Sequence, residues 1–116
     1  MPTRGIRGAT TVKKNSREEI LAATKELLSE ILKANQLKVE DIASVIFSAT
    51  EDLNASFPAE AARELGWQDT SLLCTREIAV PGSLPKCIRV LLLVNSDQPQ
   101  KEIKNIYLRA AISLRK

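Results

Sequence analysis

The sequence contains no histidine and few aromatic residues. The absence of histidine excludes Ser-His and Cys-His nucleophile pairs and metal sites built on imidazole. The aromatic residues are Phe47, Phe57, Trp67 and Tyr107. We therefore expect an aliphatic core and no row of rings on which nucleic-acid bases could stack.

Cysteine and long apolar runs are also scarce. Cys74 and Cys87 form no CxxC motif, and two isolated cysteines suit small core residues in a reduced interior. Met1 leads directly into "PTRGIRGATTV" without a signal-peptide pattern, and no apolar run reaches the length of a membrane span. We predict a cytoplasmic protein with no membrane partner.

Size and charge limit the remaining classes. The 116 residues suit a single domain, residues 1–116, with one core. The 17 basic and 14 acidic side chains give a net charge of +3, too mild for the dense basic patch of nucleic-acid-binding proteins. A small anionic ligand fits this charge better than nucleic acid.

Hydrophobic periodicity and capping residues predict the element order β-α-β-α-β-β-α-β. The predicted segments are a strand at 5–12, a helix from a Ser16 cap to about Ala34, a strand at 43–50, a helix from a Ser56 cap to Leu65, the strand "SLLCTREI", a strand at 87–94, a short helix from Asp97 and Pro99, and a last strand in "AAISLR". This pattern favours an α/β (α+β) fold with helices on one face of one sheet. Another copy of the chain is the expected cover for the other face.

One charge stands inside an apolar strand, Arg89 in "KCIRVLLLV". Alternation places Cys87, Arg89, Leu91 and Leu93 on one face of this strand and Ile88, Val90, Leu92 and Val94 on the other. An arginine without a partner costs several kcal/mol outside water and does not lose its proton. We expect Arg89 to point away from the helix-packed core, or to pair with Glu77.

Other charged groups fit ordinary roles one by one. Arg7 suits an edge-strand charge, Glu77 a solvated strand end, and Arg63 an exposed helix position, while Tyr107 suits a core ring. Taken together, the charged groups suggest two or three arginines and one carboxylate near an apolar interface. Such a set binds a dicarboxylate, because each guanidinium can hold one carboxylate by two hydrogen bonds.

Five segments then carry a resemblance to a known family. They are "RGIRGATTV", "SATEDLNASFPAEAARELGWQ", "CTRE", "KCIRV" and "IYLRAAISLR". In this order they resemble the monofunctional bacterial chorismate mutases of the trimeric α/β type, over residues 4–115. The resemblance implies a mixed β-sheet, a Bacillus-type pseudo-barrel homotrimer with active sites between subunits, and the Claisen rearrangement of chorismate to prephenate on the route to phenylalanine and tyrosine. It implies no cofactor and no metal.

The resemblance also implies a role for each candidate residue. Arg7 would hold a substrate carboxylate, Arg89 a carboxylate and the ether oxygen, and Glu77 the ring hydroxyl. The other implied contacts are the Cys74 backbone beside that hydroxyl, Tyr107 near a carboxylate, Phe57, Ala59, Leu73 and Leu114 as pocket walls, and Arg63 and Arg115 at the mouth. Glu60 departs from the pattern, because a relative carries lysine there.

Two other functions stay open at this point. An enamine or imine deaminase of similar trimeric α/β fold would also use an arginine to bind a carboxylate. A non-catalytic trimer that binds an anionic metabolite would need the same charges. The rearrangement agrees best with the lack of histidine, because it needs neither a nucleophile nor a proton transfer.

Overall fold

A computed structural model describes residues 1–114 of the chain. Its helices and strands are β1 (Thr3–Thr11), α1 (Arg17–Ala34), β2 (Ile42–Ala49), α2 (Ala59–Glu64), β3 (Ser71–Arg76), β4 (Cys87–Asn95) and β5 (Ile106–Tyr107). Short 3-10 helices lie at Val39–Asp41, Gln100–Glu102 and Arg109–Leu114. The predicted order of the first six elements is confirmed, and a 3-10 turn replaces the predicted third helix.

The strands form one mixed sheet in the order β3-β2-β4-β1-β5. β4 runs antiparallel to both of its neighbours, β1 and β2, whereas β3 and β5 pair in parallel with β2 and β1. Arg89 lies opposite Ala9 on one side and Ser48 on the other. The charged residue of the apolar strand is therefore at the centre of the sheet.

Both α-helices pack on the same face of the sheet, as predicted. Ile6, Phe47 and Leu92 are buried there against Leu28 and Ile31 of α1. On β4, the residues that alternate with Ile88, Val90, Leu92 and Val94 point to the opposite face of the sheet. Arg89 is one of them, and it is exposed. Arg89 thus points away from the helix-packed core, which confirms the expectation from strand alternation.

Gly8 allows α1 to approach β1 closely. A Cβ added at Gly8 would lie 2.8 Å from Cδ1 of Ile31 and 3.2 Å from both Cδ1 of Leu27 and the carbonyl oxygen of Ile106. At Gly5 the same addition would meet only Cδ1 of Leu91, at 3.8 Å. Gly8, and not Gly5, is therefore the glycine that the close packing of α1 on β1 requires.

The predicted ends of α1 are confirmed. Ser16 Oγ accepts a hydrogen bond from the amide of Glu19 at 3.2 Å, and Asn35 is the C-cap residue. The Glu19 carboxylate accepts from the amides of Lys13 and Lys14, both at 3.1 Å. These bonds satisfy amides at the start of the helix and in the loop before it.

The predicted cap of α2 is wrong. The helix begins at Ala59 with Pro58 as its N-cap residue, and the Ser56 hydroxyl lies 3.5 Å from the carbonyl oxygen of Phe57. The Phe57 carbonyl accepts from the amide of Glu60, and the Pro58 carbonyl from that of Ala61. Backbone hydrogen bonds therefore form the first turn of α2. The helix begins too far beyond Ser56 for that side chain to cap it.

The predicted strand in the tail is also wrong. The last strand is the two-residue β5, and Arg109–Leu114 forms a 3-10 helix instead. Arg109, the first residue of this 3-10 helix, has a φ of 54°, which is a left-handed conformation. Ala111 then packs on Ala9 and Cys87, so this segment covers one end of the helix-free face.

No helix within residues 1–114 is long and apolar enough to cross a membrane.

Candidate functional site

A cleft of about 450 Å³ opens on the helix-free face of the sheet, and we call it the central cleft. Its lining includes five of the residues singled out from the sequence: Arg7, Glu77, Arg89, Tyr107 and Leu114. The volume falls in the usual range for sites that bind small molecules.

Strand register brings the two arginines of the central cleft together. Arg7 pairs with Leu91, and Ala9 pairs with Arg89. Arg7 and Arg89 are therefore diagonal neighbours on one face of adjacent strands, a spacing that long side chains can span. Because Ala9 is small, its position opposite Arg89 leaves room in the cleft.

Glu77 lies beside Arg89 without forming a tight ion pair. Its Oε1 is 3.9 Å from Nε of Arg89, which is longer than a hydrogen bond. The Arg89 side chain is 50% exposed. The Glu77 amide donates to the carbonyl of Ala49 at 2.9 Å, so the backbone fixes this carboxylate just beyond the end of β3.

Cys87 is a buried neighbour of Arg89. It is 2% exposed and packs with Ala9 and Ala111. Burial raises the pKa of the Cys87 thiol above its ordinary value, although the neighbouring Arg89 guanidinium acts in the opposite direction. The thiol is therefore protonated at neutral pH and supplies neither a nucleophile nor a charge.

A second group of predicted residues lies outside the central cleft. Phe57 is 68% exposed, and it lines with Cys74 a larger depression of about 1170 Å³, which we call the loop cleft. Leu73 is 59% exposed and pairs with Ile46 in β2. Arg63 is exposed beside Trp67. A single chain therefore does not bring these side chains together with Arg89.

Of the predicted residues that the structure describes, Ala59 lines neither the central cleft nor the loop cleft. Ala59 is 1% exposed and belongs to the core between α2 and the sheet. Arg115 lies outside the described residues.

Sequence reasoning missed several residues that shape the site. Ile46 and Ser48 line the central cleft, and the alternation of β2 in "SVIFSA" could have indicated them. The carboxylate of Asp52 accepts from the Lys86 amide at 3.0 Å and thereby fixes the end of the loop that follows Glu77. No motif in the polar segment "EDLNAS" indicates that role.

The central cleft is suited to binding and orienting an anion. Arg7 and Arg89 supply two permanent positive charges, the Glu77 carboxylate can accept a hydrogen bond from a hydroxyl, and the Tyr107 hydroxyl can donate one to a carboxylate. Within residues 1–114, no group of three His, Cys, Asp or Glu side chains is placed to hold a metal ion. Two fixed cations can also stabilise negative charge that develops during a reaction.

Comparison with known proteins agrees with this chemistry. The family model for chorismate mutase type I matches residues 3–116. The chain is 53% identical over 113 residues to chorismate mutase AroH of Thermus thermophilus, covering 97% of this chain and 93% of the relative. It is 50% identical over 116 residues to chorismate mutase AroH of Bacillus subtilis strain 168, covering 99% and 91%.

A solved structure is also similar. A chorismate mutase from Clostridium thermocellum superposes with a TM-score of 0.93 at 53% identity, covering 94% of this chain and 97% of that one. Family match, relatives and fold therefore agree along almost the whole chain: it belongs to the chorismate mutase type I family.

Proposed function

We propose that the chain converts chorismate to prephenate, at sites formed between the subunits of a cytoplasmic homotrimer. It is an isomerase of the chorismate mutase type. The observation that carries the proposed site is the pair Arg7 and Arg89 on adjacent strands of the helix-free face, with Glu77 in the same cleft. This set complements a dianion that also carries a hydroxyl group.

The reaction places a modest chemical demand on the protein. It is intramolecular: one C–O bond breaks as one C–C bond forms, and the electrons move around a ring of substrate atoms. No proton is transferred, and neither a cofactor nor a metal is required. The task of the site is to hold the substrate as a compact conformer with the reacting carbons close together.

Arg89 can lower the barrier because charge develops as the C–O bond lengthens. Negative charge then grows on the ether oxygen, and a fixed cation stabilises that charge more in the transition state than in the ground state. A full pair of unit charges at about 4 Å and an effective dielectric constant near 20 interacts by about 4 kcal/mol. This upper figure corresponds to roughly a thousandfold in rate.

The remaining contacts divide between two subunits in this proposal. Arg7 and Tyr107 hold carboxylate groups, Glu77 accepts from the ring hydroxyl, and Leu114 closes the wall of the central cleft. The adjacent subunit contributes Phe57, Leu73, the Cys74 backbone and the helix turn at Ala59, with Arg63 at the mouth. The exposure of Phe57 and Leu73 supports this division, since the single chain leaves two large apolar side chains in contact with solvent.

The activity is tested by incubating the purified protein with chorismate and following loss of chorismate and appearance of prephenate. We expect turnover by the wild-type protein and severe loss in Arg7→Gln. Arg4→Gln is the matched control, because Arg4 lies on the same strand and its Nε donates to the carbonyl of Gln98 at 2.6 Å. Binding of chorismate without prephenate formation would contradict the proposed activity and favour a non-catalytic trimer. Release of ammonia from an enamine or imine substrate instead would favour the deaminase.

A further inference from the structure

Side chains supply several of the hydrogen bonds along the outer edge of β1. Gly5, Arg7 and Ala9 turn their backbone groups away from β4, toward β5. β5 has only two residues, Ile106 and Tyr107, which pair with Gly8 and Ala9. A two-residue ladder is a weak attachment, so other groups must fix this segment to the sheet.

Two amide side chains extend the ladder beyond β5. Gln100 binds Gly5 twice: its Oε1 accepts from the Gly5 amide at 3.0 Å, and its Nε2 donates to the Gly5 carbonyl at 2.7 Å. Asn105 Oδ1 accepts from the backbone amide of Arg7 at 2.8 Å. These side chains occupy the places that a longer β5 would fill with its own backbone.

A third amide side chain, that of Asn35, binds the backbone of Lys104, the residue before Asn105. Asn35, buried at the end of α1, donates from Nδ2 to the carbonyls of Ile31 and Lys104, at 2.9 and 3.0 Å. Its Oδ1 accepts from the Lys104 amide at 2.8 Å. The segment that enters β5 is therefore bound to the helix at Lys104 and to β1 at Asn105.

We propose that Asn105 is a positioning residue for Tyr107: its bond to the Arg7 amide sets the register of Tyr107 against the strand that carries Arg7. Tyr107 lies two residues after Asn105, and the Leu108 amide donates to the Ala9 carbonyl at 2.9 Å on its far side. Tyr107 is thus held between two bonds to one strand. The inference rests on the proposed function, in which Arg7 and Tyr107 contact substrate carboxylates.

Asn105→Ala and Gln100→Ala form a matched pair of variants. Gln100 forms two bonds to β1 and Asn105 one, so loss of edge bonds alone would make Gln100→Ala the more damaging change. If Asn105 positions Tyr107, Asn105→Ala raises KM for chorismate about fivefold, the factor for one hydrogen bond of about 1 kcal/mol, with kcat nearly unchanged. Gln100→Ala lowers the melting temperature at least as much and leaves KM unchanged.

A second measurement does not depend on turnover. Tyr107 is the only tyrosine, so ¹³C-labelled tyrosine gives one set of ring signals in NMR spectra. We expect these signals to shift or broaden in Asn105→Ala, to stay at wild-type positions in Gln100→Ala, and to return toward them in Asn105→Asp, which keeps the acceptor for the Arg7 amide.

Unchanged tyrosine signals in Asn105→Ala, or equal changes in both alanine variants, would overturn the positioning role. Failure of the wild-type protein to convert chorismate would overturn the proposed function instead, and the tyrosine signals would still decide the role of Asn105.

Discussion

Arg89 is compatible with its apolar strand because only every second side chain of β4 enters the core. Ile88 and Val90 are buried on the helix-packed face, whereas Arg89 is half exposed on the opposite one. Its contact with Glu77 at 3.9 Å leaves the guanidinium able to bind a further anion. The strand thus carries a fixed charge into the centre of the sheet without burying it.

Replacing Arg89 by citrulline separates charge from shape. The variant keeps the size and most of the donors, so an electrostatic role predicts a fall in kcat of about a thousandfold. KM should change much less, because the ether oxygen carries little charge in the ground state. Arg89→Lys should also be poor, since an ammonium group cannot span two acceptors as a planar guanidinium does. Normal turnover by the citrulline variant would contradict the electrostatic role of Arg89, and unfolding of the variant would mean that Arg89 is a structural cation.

Gly8 gives a prediction about stability. Gly8→Ala should lower the free energy of unfolding by about 1–3 kcal/mol, because the added methyl group would overlap Ile31 in the packed core. Gly5→Ala is the control and should change it little, since its nearest neighbour lies at 3.8 Å. Urea unfolding measures both, and equal effects of the two substitutions would contradict the close contact at Gly8.

At the scale of elements, ion pairs connect the two helices. Arg17 of α1 contacts Glu60 and Glu64 of α2, and Lys25 contacts Glu64 with Nζ and Oε1 2.5 Å apart. The hydrogen bond from Lys25 is the main cause that lowers the pKa of Glu64, with the charges of Lys25 and Arg17 acting in the same direction. The Arg17–Glu60 ion pair lies at the rim of the loop cleft.

The lowered pKa of Glu64 predicts a pH dependence of stability. A carboxyl group whose pKa is lower in the folded state stabilises the fold above its unfolded value of about 4.3 and loses that effect as pH falls through the folded value. Glu64→Gln should therefore melt at a lower temperature than wild type at pH 7, and the difference should shrink as pH falls below about 4.3 and through the lower pKa of the folded state. Glu30→Gln, an exposed change on α1, is the control. A difference that persists at low pH would contradict the ionic origin.

Elements with strong periodicity could be predicted from the sequence, and those fixed by distant contacts could not. The apolar stripe of α1 and the alternation of β4 predicted their faces correctly. The tail "AAISLR" has the composition of a strand, but the left-handed φ at Arg109 and the packing of Ala111 on Cys87 make it a 3-10 helix. Both causes depend on residues far away in the sequence or on a backbone angle that no local pattern indicates.

Some residues of the candidate site could likewise be predicted from the sequence, and others could not. Alternation along β4 predicted that Arg89 points away from the helix-packed core, whereas the pairing of β1 with β4, which brings Arg7 beside it in the central cleft, could not be predicted from the sequence. Asn105 was missed because an exposed asparagine in a polar segment gives no sign that it binds the backbone of β1. The places of Phe57 and Leu73 relative to Arg89 depend, in our proposal, on a second copy of the chain.

At the scale of the whole molecule, the helix-free face and the nearby loops expose large apolar side chains. Leu73 on β3, Ile78 and Val80 in the loop after it, and Phe57 before α2 are all more than half exposed. A homotrimer would cover them, and light scattering should then give about three times the chain mass of 12.8 kDa. A fully active monomer at nanomolar concentration would contradict a site shared between subunits.

The most direct test of a shared site mixes two inactive subunits. Arg89→Ala removes the cation from one half of the proposed site, and Phe57→Glu places a negative charge in the other half without disturbing the core, since Phe57 is exposed. In randomly mixed trimers, one site in about four receives both intact halves from adjacent subunits. We therefore predict about a quarter of wild-type activity after the two variants are unfolded and refolded together. Mixed trimers identified by native mass spectrometry, but no more active than either parent, would contradict the shared site.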